Sequence, residues 1–122
     1  MMKRISLLRS LVALVLSIAG VSLSQAADPG REEARIEGLI AHVKNLQDAA
    51  FVRNGKEYDA ATAAKFLRGK WNANRDDIHT AEDFIAKAAT KSSTTGKAYM
   101  IRFKDGKEVA CGPYLAGRLK KK

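Results

Sequence analysis

The stretch Ser92-Ser93-Thr94-Thr95-Gly96-Lys97 carries the residue types most able to do chemistry in this chain. Small hydroxyl side chains and a glycine, set between Lys91 and Lys97, can turn backbone N–H groups toward an anion. Ser92 or Ser93 could also serve as a nucleophile if Lys97 or a histidine stood within hydrogen-bond reach. The stretch is not a phosphate-binding P-loop. No glycine lies five residues before Gly96, and alanine follows Lys97 where Ser or Thr is required. It also follows a helical pattern, so it lies at the negative end of a helix dipole, which repels anions. The first reading is therefore a helix stop closed by hydroxyl-to-backbone bonds, with a ligand loop as the second.

The remaining reactive residues are sparse. His42 lies on a helical pattern with no acidic or cysteine neighbour that spacing enforces, and His79 stands just before a helix start. Two histidines and one cysteine give no metal-ligand spacing. Asp76-Asp77 reads as a solvated loop and Glu82-Asp83 as a first helical turn, so neither pair is assigned as an acid/base dyad. No catalytic, cofactor-binding or metal-binding residue is assigned. Cys111, the single cysteine, cannot make an internal bridge in an oxidising compartment. It is expected to be a small buried apolar side chain in a second hairpin, with an intermolecular or mixed disulfide as the alternative.

Residues 1–26 read as a signal peptide. Lys3, Arg4 and Arg9 make a basic start, Leu11 to Leu23 is uncharged and apolar, and Ser24-Gln25-Ala26 puts small residues where signal peptidase reads. The apolar run is short of the ~20 residues a spanning helix needs. No arginine pair and no following cysteine suggest another export route or a lipid anchor. An uncleaved N-terminal anchor is the alternative. Without Lys3, Arg4 and Arg9 the basic count falls from 22 to 19 against 13 acids, and the net charge from +9 to +6. Arg118, Lys120, Lys121 and Lys122 hold four of those charges at the very end. That tail is read first as a solvated end and second as a contact for anionic lipid or an acidic partner.

Residues 27–122 suit one small domain. Asp28-Pro29 is a helix start, and Ile36, Leu39, Ile40, Val43 and Leu46 then make an apolar stripe. Phe51 to Tyr58 reads as a hairpin with Asn54-Gly55 at its tip, pairing Phe51 with Tyr58, Val52 with Glu57 and Arg53 with Lys56. Asp59 caps a helix over about 60–72, with Ala60, Ala63, Ala64, Leu67 and Trp71 inward and Phe66 widening the face. Thr80 and Asp83 form a capping box, with His79 and Phe84 placed as its staple. A helix over about 81–90 follows, then a strand with Tyr99, Ile101 and Phe103 on one side. Lys104-Asp105-Gly106-Lys107 is a second turn, read by the same physics as the first. Gly112 ends the returning strand, and Pro113 opens a last helix with Tyr114, Leu115 and Leu119. The expected fold is α+β: helices packed on two short hairpins that join into one antiparallel sheet. A helix-turn-helix reading of 60–72 and 81–90 fails on the long connection, so no nucleic acid is expected.

Four groups of residues resemble a family of small bacterial exported proteins that includes the enterobacterial YfeK-like proteins, a domain of unknown function. They are Phe51-Val52-Arg53-Asn54-Gly55 with Tyr58, Ala63-Ala64 with Leu67 and Lys70, Thr80-Ala81-Glu82-Asp83-Phe84-Ile85, and Ser92 to Lys97 with Tyr99. The resemblance implies a periplasmic location and the fold, and it brings no activity. Where the family often has a histidine before that leucine, this chain has Phe66. Some relatives carry a cysteine beside the first hairpin and another in the second, whereas here only Cys111 stands, displaced, so no bridge carries over.

The expectation is a non-catalytic periplasmic binding or interaction module, without cofactor. Its candidate surface is Arg53, Asn54, Lys70, Ser92, Ser93, Thr95, Lys97 and Tyr99. Its partner would be a periplasmic protein, a peptide, a glycan or an anionic envelope component. The alternatives are a small hydrolase or transferase working through Ser93 or Ser92, or an inhibitor of a periplasmic enzyme.

Overall fold

The computed structural model describes residues 28–120; the expected signal peptide over 1–26 and the last two lysines lie outside the described residues. Helix α1 runs Pro29–Lys44, strands β1 and β2 run Ala50–Arg53 and Lys56–Tyr58, and helix α2 runs Ala60–Ala73. A single tight turn of helix at Arg75–Asp77 leads to α3, which is α-helical over Ala81–Phe84 and widens to a π-helix over Ile85–Ala89. Strands β3 (Met100–Arg102) and β4 (Glu108–Ala110) follow, and α4 runs Cys111–Lys120. The four strands form one antiparallel sheet in the order β2-β1-β3-β4. The two hairpins do join, through β1 and β3, with Phe51 opposite Ile101. The fold is α+β.

Local chemistry accounts for most element ends. The Asp28 carboxylate accepts from the N–H of Gly30 and Arg31 and starts α1 with Pro29 in its first turn. Asp59 accepts from Thr62 and starts α2. Thr80 and Asp83 form the reciprocal capping box at α3. At the first turn both Asn54 (φ 53°) and Gly55 (φ 80°) sit in the left-handed region, and the pairing of β1 with β2 has the register expected from that turn.

Strand alternation puts Tyr58, Phe51, Ile101 and Val109 on the sheet side that meets the helices. Trp71, Phe84, Ile36, Ile101 and Leu115 fill the core between them. On the other side Arg102 of β3 links the two edge strands, pairing with Glu57 of β2 and Glu108 of β4.

Four local expectations are corrected. The last helix begins at Cys111, so Cys111 opens α4 instead of closing β4, and Pro113 sits inside the first turn, where a missing N–H costs nothing. The second turn is not a twin of the first. Gly106 N–H reaches Phe103 O, Phe103 N–H reaches Lys107 O, and only Gly106 (φ 92°) is left-handed, which makes a three-residue loop with a glycine bulge. His79 is exposed while Phe84 is fully buried, so the apolar residue before the cap is Ile78, which joins the core. Phe51 does lie opposite Tyr58, and the Tyr58 ring also meets Phe66 edge-on, with centroids 4.8 Å apart. Phe66 therefore stays 38% exposed instead of extending the buried face of α2.

Candidate functional site

Residues Ala63, Phe66, Leu67 and Lys70 recur at three- and four-residue spacing along α2, so they share one face. That face lies over Phe51, Arg53 and Tyr58 of the first hairpin. Between them is a cleft of about 100 Å³, which Tyr99 and the buried Cys111 also line. Its lining is mostly apolar and includes two cations, Arg53 and Lys70. The volume suits one side-chain-sized group and falls short of the ~300 Å³ at which drug-sized ligand pockets begin.

The two cations are held by aromatic rings. The Arg53 guanidinium lies 5.2 Å from the Phe66 centroid, the distance of a cation–π contact. The Lys70 ammonium donates to the Tyr99 hydroxyl at 2.9 Å and lies 5.0 Å from the ring centroid, also within cation–π range. Lys70 also donates to the carbonyl of Lys91. Among the described residues neither Arg53 nor Lys70 forms an ion pair, whereas Arg35, Arg68, Arg75 and Arg102 all do.

The Ser92-to-Lys97 loop stands beside this cleft and fastens its hairpin. Ser92 N–H donates to Lys97 O and Gly96 N–H to Ser92 O, which closes the loop on itself. The Ser92 side chain is 1% exposed, and its hydroxyl oxygen accepts from Thr94 N–H, Thr95 N–H and the Asn54 side-chain amide. The Thr95 hydroxyl donates to Asn54 Oδ1 and accepts from Lys97 N–H. The hydroxyl-to-backbone bonds expected of a helix stop are present, and they consume N–H groups that an anion would need. Thus Ser92 and Thr95 hold Asn54, and Asn54 holds the hairpin tip next to Arg53. Ser93 and Lys97 are exposed.

For the serine-nucleophile reading, every donor to Ser92 Oγ comes from Asn54, Thr94 or Thr95, and none comes from a histidine or lysine. His42 is engaged elsewhere, with Nε2 2.7 Å from the Tyr114 hydroxyl. Among the described residues no three of His, Cys, Asp and Glu gather as metal ligands would. Burial pushes the Cys111 thiol up to about 12, so it stays protonated and inert at neutral pH.

Two members of the cleft escaped sequence reasoning. Phe66 reads as a widened apolar face, and Tyr58 as a partner for Phe51; their mutual contact depends on how α2 lies over the hairpin. The signal available was the i, i+3, i+4, i+7 spacing of Ala63, Phe66, Leu67 and Lys70, which ends an apolar row on a cation.

Residues 30–122 match the family described as "Family of unknown function (DUF5329)". The chain is also similar to the "Uncharacterized protein YfeK" of Salmonella typhimurium, with 44% identity over 68 residues, 56% of this chain and 57% of the relative. The match thus spans a little over half the length of that curated relative. No solved structure gives a significant match.

Proposed function

The chain belongs to the YfeK-like family of unknown function (DUF5329), and on that premise we propose that it is an exported, periplasmic binding module without catalysis of its own. Its working face is the cleft between α2 and the first hairpin. The occupant is a peptide segment that presents one apolar side chain next to a carboxylate. One observation carries this reading: Arg53 and Lys70 line an apolar cleft, seated against Phe66 and Tyr99, and among the described residues no carboxylate pairs with either. The apolar group would enter between Phe51, Phe66 and Leu67, and its carboxylate would meet Arg53. Among the described residues no helix is long and apolar enough to cross a membrane.

The test is a peptide array probed with protein purified from cells that express the whole chain. Retained peptides are expected to share an apolar residue beside an acid, and to be lost with Arg53→Ala or when the acid is amidated. An array without retained peptides, or retention indifferent to Arg53 and Lys70, contradicts the reading. Export is tested separately by fractionation. Protein found in the cytosol with residues 1–26 attached would remove the periplasmic part.

A further inference from the structure

Arg31, Arg35, Gly38 and His42 stand at i, i+4, i+7 and i+11 along α1, so they form one stripe on its surface. Helix α4 runs beside that stripe, and Arg118 and Leu119 make the facing wall of a groove of about 500 Å³. The groove shares no lining residue with the cleft described above. Gly38 leaves its floor open, because a Cβ there would meet nothing within 4 Å.

The charges in this groove are unbalanced. Arg35 is already shared between Glu32 and Glu82, but Arg31 and Arg118 form no ion pair among the described residues. Three arginines against Glu32 and Glu82 leave an excess of positive charge, carried by the two guanidiniums without a partner, Arg31 and Arg118. His42 adds no charge at neutral pH, since burial and then the charge of Arg118 hold its imidazole below the ordinary range. A phosphate monoester, close to a dianion at neutral pH, carries enough charge and oxygens to engage both unpaired guanidiniums at once. Guanidinium groups suit it in shape as well, because their paired N–H donors engage two phosphate oxygens at once. Leu39 and Leu119 offer an apolar wall to the carbon side of an ester.

We propose that the groove between α1 and α4 is a binding site for phosphate monoesters, with Arg31 and Arg118 as its anchors and Leu39 and Leu119 against the organic part. A small soluble ester and the headgroup of a lipid present the same phosphate, and the chemistry recognised is the same.

The experiment follows the His42 ring protons by NMR across pH, in protein purified from cells expressing the whole chain. Glycerol 3-phosphate is expected to raise the His42 titration midpoint, because a dianion nearby favours the imidazolium. Arg118→Ala and Arg31→Ala are each expected to weaken that response on the order of tenfold, and Lys104→Ala, in an exposed turn, to leave it intact. A second arm uses phosphatidylcholine vesicles with and without phosphatidic acid. Sedimentation with phosphatidic acid alone, without a glycerol 3-phosphate response, would assign the lipid source; the reverse would assign the soluble one. No response in either arm, an equal response to chloride at matched ionic strength, or a response that survives Arg31→Ala and Arg118→Ala overturns the proposal.

Discussion

The side-chain amide of Asn54, at the tip of the first hairpin, donates to the hydroxyl of Ser92 at 3.2 Å across 38 residues of chain. That bond makes a turn and a distant loop into one unit, because the same hydroxyl also takes the N–H groups of Thr94 and Thr95. Ser92→Ala leaves all three donors short of a partner, at an expected cost of about 1–3 kcal/mol. Asn54→Ala loses the same link and adds about 1 kcal/mol for a Cβ residue held at positive φ, which Asn54→Gly avoids. Urea denaturation should rank Asn54→Ala below Asn54→Gly. Equal midpoints would mean that the turn conformation contributes nothing.

Gly112 touches α3 so closely that no side chain fits. A Cβ there would lie 2.7 Å from the Thr90 hydroxyl oxygen. That oxygen is itself committed to the carbonyl of Ile85, also at 2.7 Å, so it cannot swing aside without losing its bond. Gly112→Ala is expected to cost about 1–3 kcal/mol by overpacking. Adding Thr90→Ala removes the obstructing atom, and a double-mutant cycle should return a coupling of at least about 0.5 kcal/mol. Strict additivity would show that the two helices separate freely.

Much of this architecture is legible in short-range chemistry. Asn54-Gly55 dictates the register of β1 and β2, and Thr80 with Asp83 marks the start of α3, because each involves residues within one turn of chain. What stays hidden depends on helices meeting across the core. Nothing near Cys111 announces that α4 begins there, since its first turn is set by packing against Thr90 and the core. The cleft likewise needs Phe66 and Lys70 of α2 to lie over Arg53, which no spacing within either segment encodes. Of the residues expected at a binding surface, Arg53, Lys70 and Tyr99 line the cleft, while Asn54, Ser92 and Thr95 hold one another in the loop beside it.

Acid should unfold the protein in two stages. His42 has its pKa lowered by burial and by Arg118, so the unfolded chain binds the proton first as pH falls. The stability it contributes is full above about pH 6.5 and is lost as pH falls through the folded pKa. Glu37, Glu82 and Asp83 are lowered chiefly by hydrogen bonds from Arg68, Arg35 and the His79 N–H respectively. Their contribution is full above about pH 4 and is lost below it. Denaturation midpoints between about pH 8 and about pH 3 should fall in two steps, with His42→Gln removing the first and Asp83→Asn shrinking the second. A first step untouched by His42→Gln would place its origin elsewhere.

The Cys111 thiol is 2% exposed and pushed up to about 12 by burial, so native protein should resist thiol reagents at mildly alkaline pH. Its labelling rate should then follow unfolding and rise with urea. Labelling as fast in the native state as in urea would mean that the cleft lining at Cys111 opens to solvent.

Glu32 links two helices through a buried carboxylate. It lies in the first turn of α1, is 8% exposed, and accepts from the N–H of Ala81 at 2.8 Å, 49 residues away. Ala81 begins α3, so its N–H has no partner within that helix, and the carboxylate supplies one at the positive end of the dipole. Arg35 donates to the same carboxylate at 2.8 Å and also holds Glu82 at 3.0 Å, which fastens the junction from outside. Glu32→Gln keeps an acceptor for Ala81 and loses the charge, whereas Glu32→Ala removes both. Hydrogen bonds to a charged group contribute about 1.5–3 kcal/mol, so Glu32→Ala should cost in that range and Glu32→Gln roughly half of it. Amide exchange at Ala81 separates the two variants: Glu32→Ala should lose protection there, and Glu32→Gln should retain most of it. If both variants exchange at the native rate, α3 is positioned by its core residues Phe84 and Ala88 alone.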